Sequence, residues 1–303
     1  MDETDTHASR DRHSVPVVTT LARARALARA LRRAVRFCRN GGDDRYFQPA
    51  TDAFNRALRR YIAQFEAGRG NLLAGHFSEH LLHLSRHRSL RILHPFVFDP
   101  FNLRYRDFLY ARIAGALMES GRPVPQLPAM QKDADCFAEI VDRPDACVVL
   151  SLHTGFPHAV RLLSSSGRSR ITSIAGSPEW VEMLFRNNQV PQFEQVRLVR
   201  ADRNTLVNLM SSAENRHAIC CHPDHISPET GTCDLISRAM FEFAARTKLQ
   251  IYFLDYAVNR QGTLEVFSER AGRSADVDDA IRQFCGFCRR SSGRTVRPIG
   301  KRT

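Results

Sequence analysis

The chain has 303 residues, 43% of them hydrophobic, which is enough for one large α/β domain with its own core and too apolar for a disordered chain. No apolar run reaches the roughly 18–20 residues that cross a bilayer, and the acidic opening Met1-Asp2-Glu3-Thr4-Asp5 lacks the apolar segment of a secretory leader. The 44 Lys and Arg against 32 Asp and Glu leave a net charge of +12, so the surface attracts anions: nucleic acid, anionic lipid, the phosphates of coenzyme A or an acidic carrier protein.

Residues 1–19 are polar and aperiodic and read as a flexible tail. From Leu21 to Cys38, apolar residues recur every three or four positions, while Arg25, Arg29, Arg32 and Arg36 share the opposite face. This basic amphipathic helix either docks on a membrane surface or acidic partner, or covers the core as a solvated helix. Further helices are expected over 52–65, 72–84 and 108–118. The second carries His76, His80, His83 and His87, a stripe expected to be a half-exposed helix face rather than a metal site.

The second half alternates. Strands are expected at 146–152, 171–175, 196–199, 217–222 and 249–258, with 263–267 returning as a hairpin across Asn259-Arg260-Gln261-Gly262. Helices are expected at 179–187, 205–214, 235–247 and 276–288. The predicted fold class is α/β: a mostly parallel central sheet flanked by helices, with a helical N-terminal portion. The expected organisation is one domain over 20–288, helical over 20–140 and sheet-containing over 141–288, followed by a frayed basic tail over 289–303.

Two strand ends are rich in reactive groups, and strand carboxyl ends are where open α/β sheets bind ligands. One reads Ser151-Leu152-His153-Thr154-Gly155-Phe156-Pro157-His158; the other reads Cys221-His222-Pro223-Asp224-His225. A histidine at such an end can act as a general base near neutral pH. His94-Pro95-Phe96-Val97-Phe98-Asp99 also spells a histidine with an acid five residues on, but it lacks a preceding buried strand. Cys220, Cys221, His222 and His225, with Cys285 and Cys288, offer zinc ligands, yet their spacing is not that of a finger or ribbon. The expectation is reduced buried thiols, no metal and no cofactor. No glycine-rich phosphate loop and no nucleic-acid-binding module is present, so nucleic acid is not an expected partner.

The strand, the His153–His158 turn and the following helix resemble the first motif of the lysophospholipid acyltransferase superfamily, in particular its lipid A lauroyl/myristoyl acyltransferase branch, whose motif reads His-Phe-Gly-Asn-Trp-Glu. The resemblance covers roughly residues 90–290. It implies transfer of an acyl group from an acyl thioester, on coenzyme A or an acyl carrier protein, to a hydroxyl or amine. His153 would be the base, and Gly155, His222, His225 and Glu229 would contribute to substrate binding. His158 stands where the acid that orients the base should be and would be the catalytic neighbour of His153, with Asp224 or Glu229 supplying the missing charge from the second turn. The competing readings are a non-catalytic relative that binds an acyl carrier or partner enzyme and, ranked below it, nucleic-acid binding through the arginines. The expected location is cytoplasmic, with peripheral contact at the inner membrane face through Leu21–Cys38.

Overall fold

The computed structural model describes residues 48–69, 75–94, 97, 99–187, 189–227, 232–272 and 276–299. The predicted tail 1–19, the basic helix 21–38, Glu229 and residues 300–303 lie outside them.

Among the described residues, four helices come first: α1 Gln48–Arg69, α2 Phe77–Arg86, α3 Arg88–Leu93 and α4 Tyr105–Glu119. On α1, Phe54, Leu58 and Ile62 stand four apart, hence on one face, and all three are buried against Leu81, Leu84, Phe108 and Ile113. The Phe54 and Phe108 rings meet edge to face at 5.4 Å. The histidine stripe is a half-exposed helix face, as expected, with His76 and His83 exposed, His87 partly buried and His80 buried. His80 is buried against Phe65, whose ring also meets His83, and His87 stacks on Tyr61. Burial, reinforced by His83, pulls the pKa of His80 down to about 4.

The strands and remaining helices then alternate. They are β1 Ala129–Gln131, α5 Ala134–Asp142, β2 Cys147–Leu150, α6 Phe156–Ser165, β3 Ile171–Ala175, α7 Pro178–Asn187, β4 Arg197–Arg200, α8 Thr205–Glu214 and β5 Ala218–Cys221. After these come β6 Asp224–Ile226, β7 Cys233–Ile236, α9 Ala239–Thr247, β8 Gln250–Val258, β9 Leu264–Arg270, α10 Val277–Ser291 and β10 Arg297–Pro298. Seven strands form one sheet in the order β1-β9-β8-β2-β5-β3-β4. Every pairing is parallel except the β8–β9 hairpin. The α/β class with a mostly parallel sheet is therefore observed.

Alternation along each strand separates two cores. Val149, Cys147 and Cys220 face α6, α7 and the N-terminal helices, whereas Val148, Leu150 and Cys221 face α8, α9 and α10. Because β2 is covered on both faces, its apolar run is continuous, as the sequence has it.

Two expectations are corrected. The helix predicted from 235 starts only at Ala239, because Cys233–Ile236 instead pairs with β6 on one side and β10 on the other, in a small three-stranded sheet. Pairing partners supplied by the tertiary fold override the local preference. The stretch predicted to fray from Arg289 is packed in its described part: α10 runs on to Ser291, Ser292 and Arg294 are buried, and β10 lies parallel to β7.

Candidate active site

Strand β2 leads to β3 across β5, through α6 on one face. Strand β5 leads to β8 across β2, through α9 on the other face. The adjacent carboxyl ends of β2 and β5 are thus a topological switch point, where connections leaving to opposite faces open a crevice. The two reactive turns of the sequence meet there.

After β2 the ladder continues to Ser151, whose amide donates to the Cys221 carbonyl at 3.1 Å. A tight turn follows, with Gly155 N–H bonded to the Leu152 carbonyl at 2.8 Å, and α6 begins. This turn pushes His153 out of the sheet. Its side chain retains 39% exposure, whereas the Asp224 side chain retains 3%. The Asp224 carboxylate accepts the His153 main-chain amide at 3.0 and 3.2 Å, and its Oδ1 lies 3.2 Å from His153 Nδ1. The amide bonds lock the turn, and the ring contact aims the imidazole. A carboxylate facing Nδ1 favours the tautomer protonated there and leaves Nε2 with a free lone pair.

His222 stacks on the His153 ring at 3.6 Å between centroids. Burial first, then His153 itself, lowers the His222 pKa to about 4. The His222 ring is therefore neutral near pH 7. Phe101 stands on the site's other flank, 6.2 Å from the His153 ring, and lines a cleft of about 290 Å³ with Leu58, Leu103, Phe108 and Ala111, together with Arg59 and Arg112.

The predicted partner His158 is placed elsewhere. It begins α6 on the face turned to the core, is 5% exposed, and has the rings of Tyr110 and Tyr256 as neighbours at 5.5 and 4.7 Å. Its Nδ1 has no hydrogen-bond partner, and burial, aided by Arg161, pulls its pKa down to about 3. A side chain five residues into this turn points into the helix–sheet core, and the carboxylate that meets His153 is that of Asp224. Gly155 is buried against Asp255 and Tyr256, while His225 is exposed on β6. The His94–Asp99 pattern is structural: Asp99 accepts the amides of Phe101 and Leu103, and His94 packs between Tyr105 and Phe108.

Sequence reasoning missed a layer beneath the turn. Arg294, 3% exposed, donates to Thr154 Oγ1 at 2.5 Å, lies 4.0 Å from Asp255 Oδ1, and stands over the Tyr256 ring. Asp255 also accepts from Ser291 Oγ at 2.9 Å. Asp107 completes the layer, accepting the Val258 amide at 2.7 Å, and burial pushes its pKa up to about 6. A charged residue inside the apolar run Leu254-Asp255-Tyr256 was the available signal. Cys233 is likewise brought to Asp224 by the β6–β7 hairpin, so that a sulfur, a carboxylate oxygen and an imidazole nitrogen converge.

The comparisons add no relative: neither a protein-family model nor a curated protein matches the sequence. Among the described residues, no helix is long and apolar enough to cross a membrane.

Proposed function

We propose that the protein is an acyltransferase that moves an acyl group from an acyl thioester to a hydroxyl or amine, with His153 as general base and Asp224 as the residue that positions it. The observation that carries this reading is the His153–Asp224 pair at the switch point: a buried carboxylate bonded to both the amide and Nδ1 of a partly exposed histidine. The resemblance of the strand-turn-helix around His153 to acyltransferases supplies the reaction class.

In the proposed step, the acceptor oxygen or nitrogen forms a bond to the thioester carbonyl carbon while its proton passes to His153 Nε2. Asp224 stabilises the resulting imidazolium. The tetrahedral intermediate then collapses, the C–S bond breaks, and His153 returns the proton to the departing sulfur, so a free thiol leaves and the base is regenerated. The cleft beside Phe101 offers apolar side chains to an acyl group, and its charged rim is mixed, with Arg59 and Arg112 beside Asp99 and Glu119. The donor would be acyl-coenzyme A or an acyl carrier protein, drawn by the net positive charge. The basic stretch 21–38 is the segment through which the chain would touch an anionic membrane.

The test is release of free thiol from a panel of acyl-coenzyme A and acyl-carrier donors with hydroxyl and amine acceptors, wild type against His153→Ala. The reading expects turnover that the substitution lowers by about 10²-fold or more. Equal rates, or no turnover with any donor, would overturn it.

A further inference from the structure

The β6–β7 hairpin brings a third donor to the pair. A ring nitrogen of His153, a carboxylate oxygen of Asp224 and Sγ of Cys233 all lie within 4.8 Å of one another, and Nδ1 is the nitrogen that faces Asp224. In tetrahedral zinc sites, bonds of about 2.0–2.3 Å put ligand atoms about 3.3–3.7 Å apart. His153 Nδ1 and Asp224 Oδ1, at 3.2 Å, already stand near that spacing, so a small movement of the Cys233 side chain closes the set. The scaffold is firm. Cys233 opens β7 and its amide is tied to the Pro100 carbonyl at 2.5 Å, while Asp224 opens β6 and is buried.

We propose that His153 Nδ1, the Asp224 carboxylate and Cys233 Sγ form a three-ligand Zn²⁺ site whose fourth position opens to solvent beside the His153 ring. The donor chemistry selects the ion. One thiolate, one imidazole and one carboxylate suit a borderline-soft cation, and the all-oxygen sets that Mg²⁺ and Ca²⁺ require are not present here. Partial exposure of the His153 side chain leaves room for a water or an exogenous ligand on the metal. When Oδ1 turns to the ion, Oδ2 keeps the His153 amide at 3.2 Å, an outer-shell bond that holds the carboxylate in place. The cysteine-rich strand end singled out in the sequence does not provide this site: Cys220 and Cys221 point into opposite cores.

Binding is proton-coupled. The Cys233 thiol loses its proton to solvent as the Zn–S bond forms, and the ring proton moves from Nδ1 to Nε2, so one proton is released per ion. That shift removes the lone pair the acyl-transfer reading assigns to Nε2, and on that reading zinc switches the base off. Metal binding itself does not rest on it.

The full-length chain, stripped with a chelator, is titrated with Zn²⁺ against a chromophoric competitor, and with Co²⁺ as a spectroscopic substitute. The expected result is one Zn²⁺ per chain, a thiolate-to-cobalt charge-transfer band, and at least tenfold weaker binding in Cys233→Ala and in His153→Gln, with Cys285→Ala unchanged. His153 is partly exposed, so its variant tests the site even if Cys233→Ala fails to fold. Absence of the cobalt band in the wild type, or wild-type affinity in either ligand variant, would overturn the site. Where thiol release is measurable, Zn²⁺ should suppress it in the wild type and not in Cys233→Ala. Stoichiometric zinc binding by a chain that releases no thiol even when metal-free would leave the metal site standing and sink the acyl-transfer reading alone.

Discussion

The Asp224 carboxylate holds His153 at two points, accepting its main-chain amide at 3.0 Å and facing its ring Nδ1 at 3.2 Å. The first contact is structural and the second electronic, so one substitution can separate them. In Asp224→Asn the side-chain oxygen can still accept the amide, but the NH₂ group turned to the ring favours protonation at Nε2 and leaves no charge to stabilise the imidazolium. We expect thiol release to fall on the order of 10²–10⁴-fold with the melting temperature near that of the wild type. Asp224→Ala should lose the same activity and also melt lower. Unchanged turnover in Asp224→Asn would remove Asp224 from the mechanism.

The sequence carried the sheet and half of the site. The run Cys147–Leu150 reads as a buried strand because both its faces are covered, and the His153 turn is legible as that strand's reactive end. Which acid serves His153 was not settled by spacing along the chain: His158 holds the expected position, yet the first turn of α6 buries it between Tyr110 and Tyr256. Asp224 reaches His153 only because β5 slots in beside β2, a neighbour relation fixed by topology. Arg294 was hidden for a similar reason. A basic stretch near the end of the sequence reads as solvated until a buried Asp255 and Thr154 are found waiting for it.

Arg294 and Asp255 are both nearly inaccessible, with side-chain exposures of 3% and 1%. Removing one charge strands the other. Arg294→Met should therefore destabilise the fold by about 3–5 kcal/mol in denaturant titrations. The double variant Arg294→Met/Asp255→Leu should be less destabilised than the sum of the two singles, because no unpaired charge is left behind. Strict additivity would mean that the two side chains do not interact. Loss of the Thr154 contact should also slow thiol release in Arg294→Met, through the turn that carries His153.

Gly262 closes the β8–β9 hairpin at φ +76°, with the Asn259 side chain capping the amides of Gln261 and Thr263. A methyl group there would come within 3.0 Å of the Ser78 main-chain oxygen at the start of α2. Strain and crowding then add. Gly262→Ala should cost about 1–2 kcal/mol in chemical denaturation, with the far-ultraviolet spectrum unchanged. A neutral effect would mean that α2 is not seated on the hairpin.

Histidine burial gives the last prediction, a pH dependence of stability. His158, His80 and His222 have pKa values lowered to about 3, about 4 and about 4, each first of all by burial. In the unfolded chain each protonates near pH 6.5. Between those limits the unfolded state binds more protons, so the stability their neutral forms contribute is present above about pH 6.5 and is lost as pH falls toward about 4. Asp107, raised to about 6, works in the opposite sense: it favours the folded state below the ordinary aspartate range, and that contribution fades as pH rises through about 6. The histidines outnumber it and their shifts are larger, so unfolding free energy should drop from about pH 7.5 to about pH 5. In His158→Gln the drop should shrink, because the substituted side chain takes up no proton in either state. If the variant and the wild type lose stability in parallel over that interval, His158 is not the buried neutral group that its place between two tyrosines makes it.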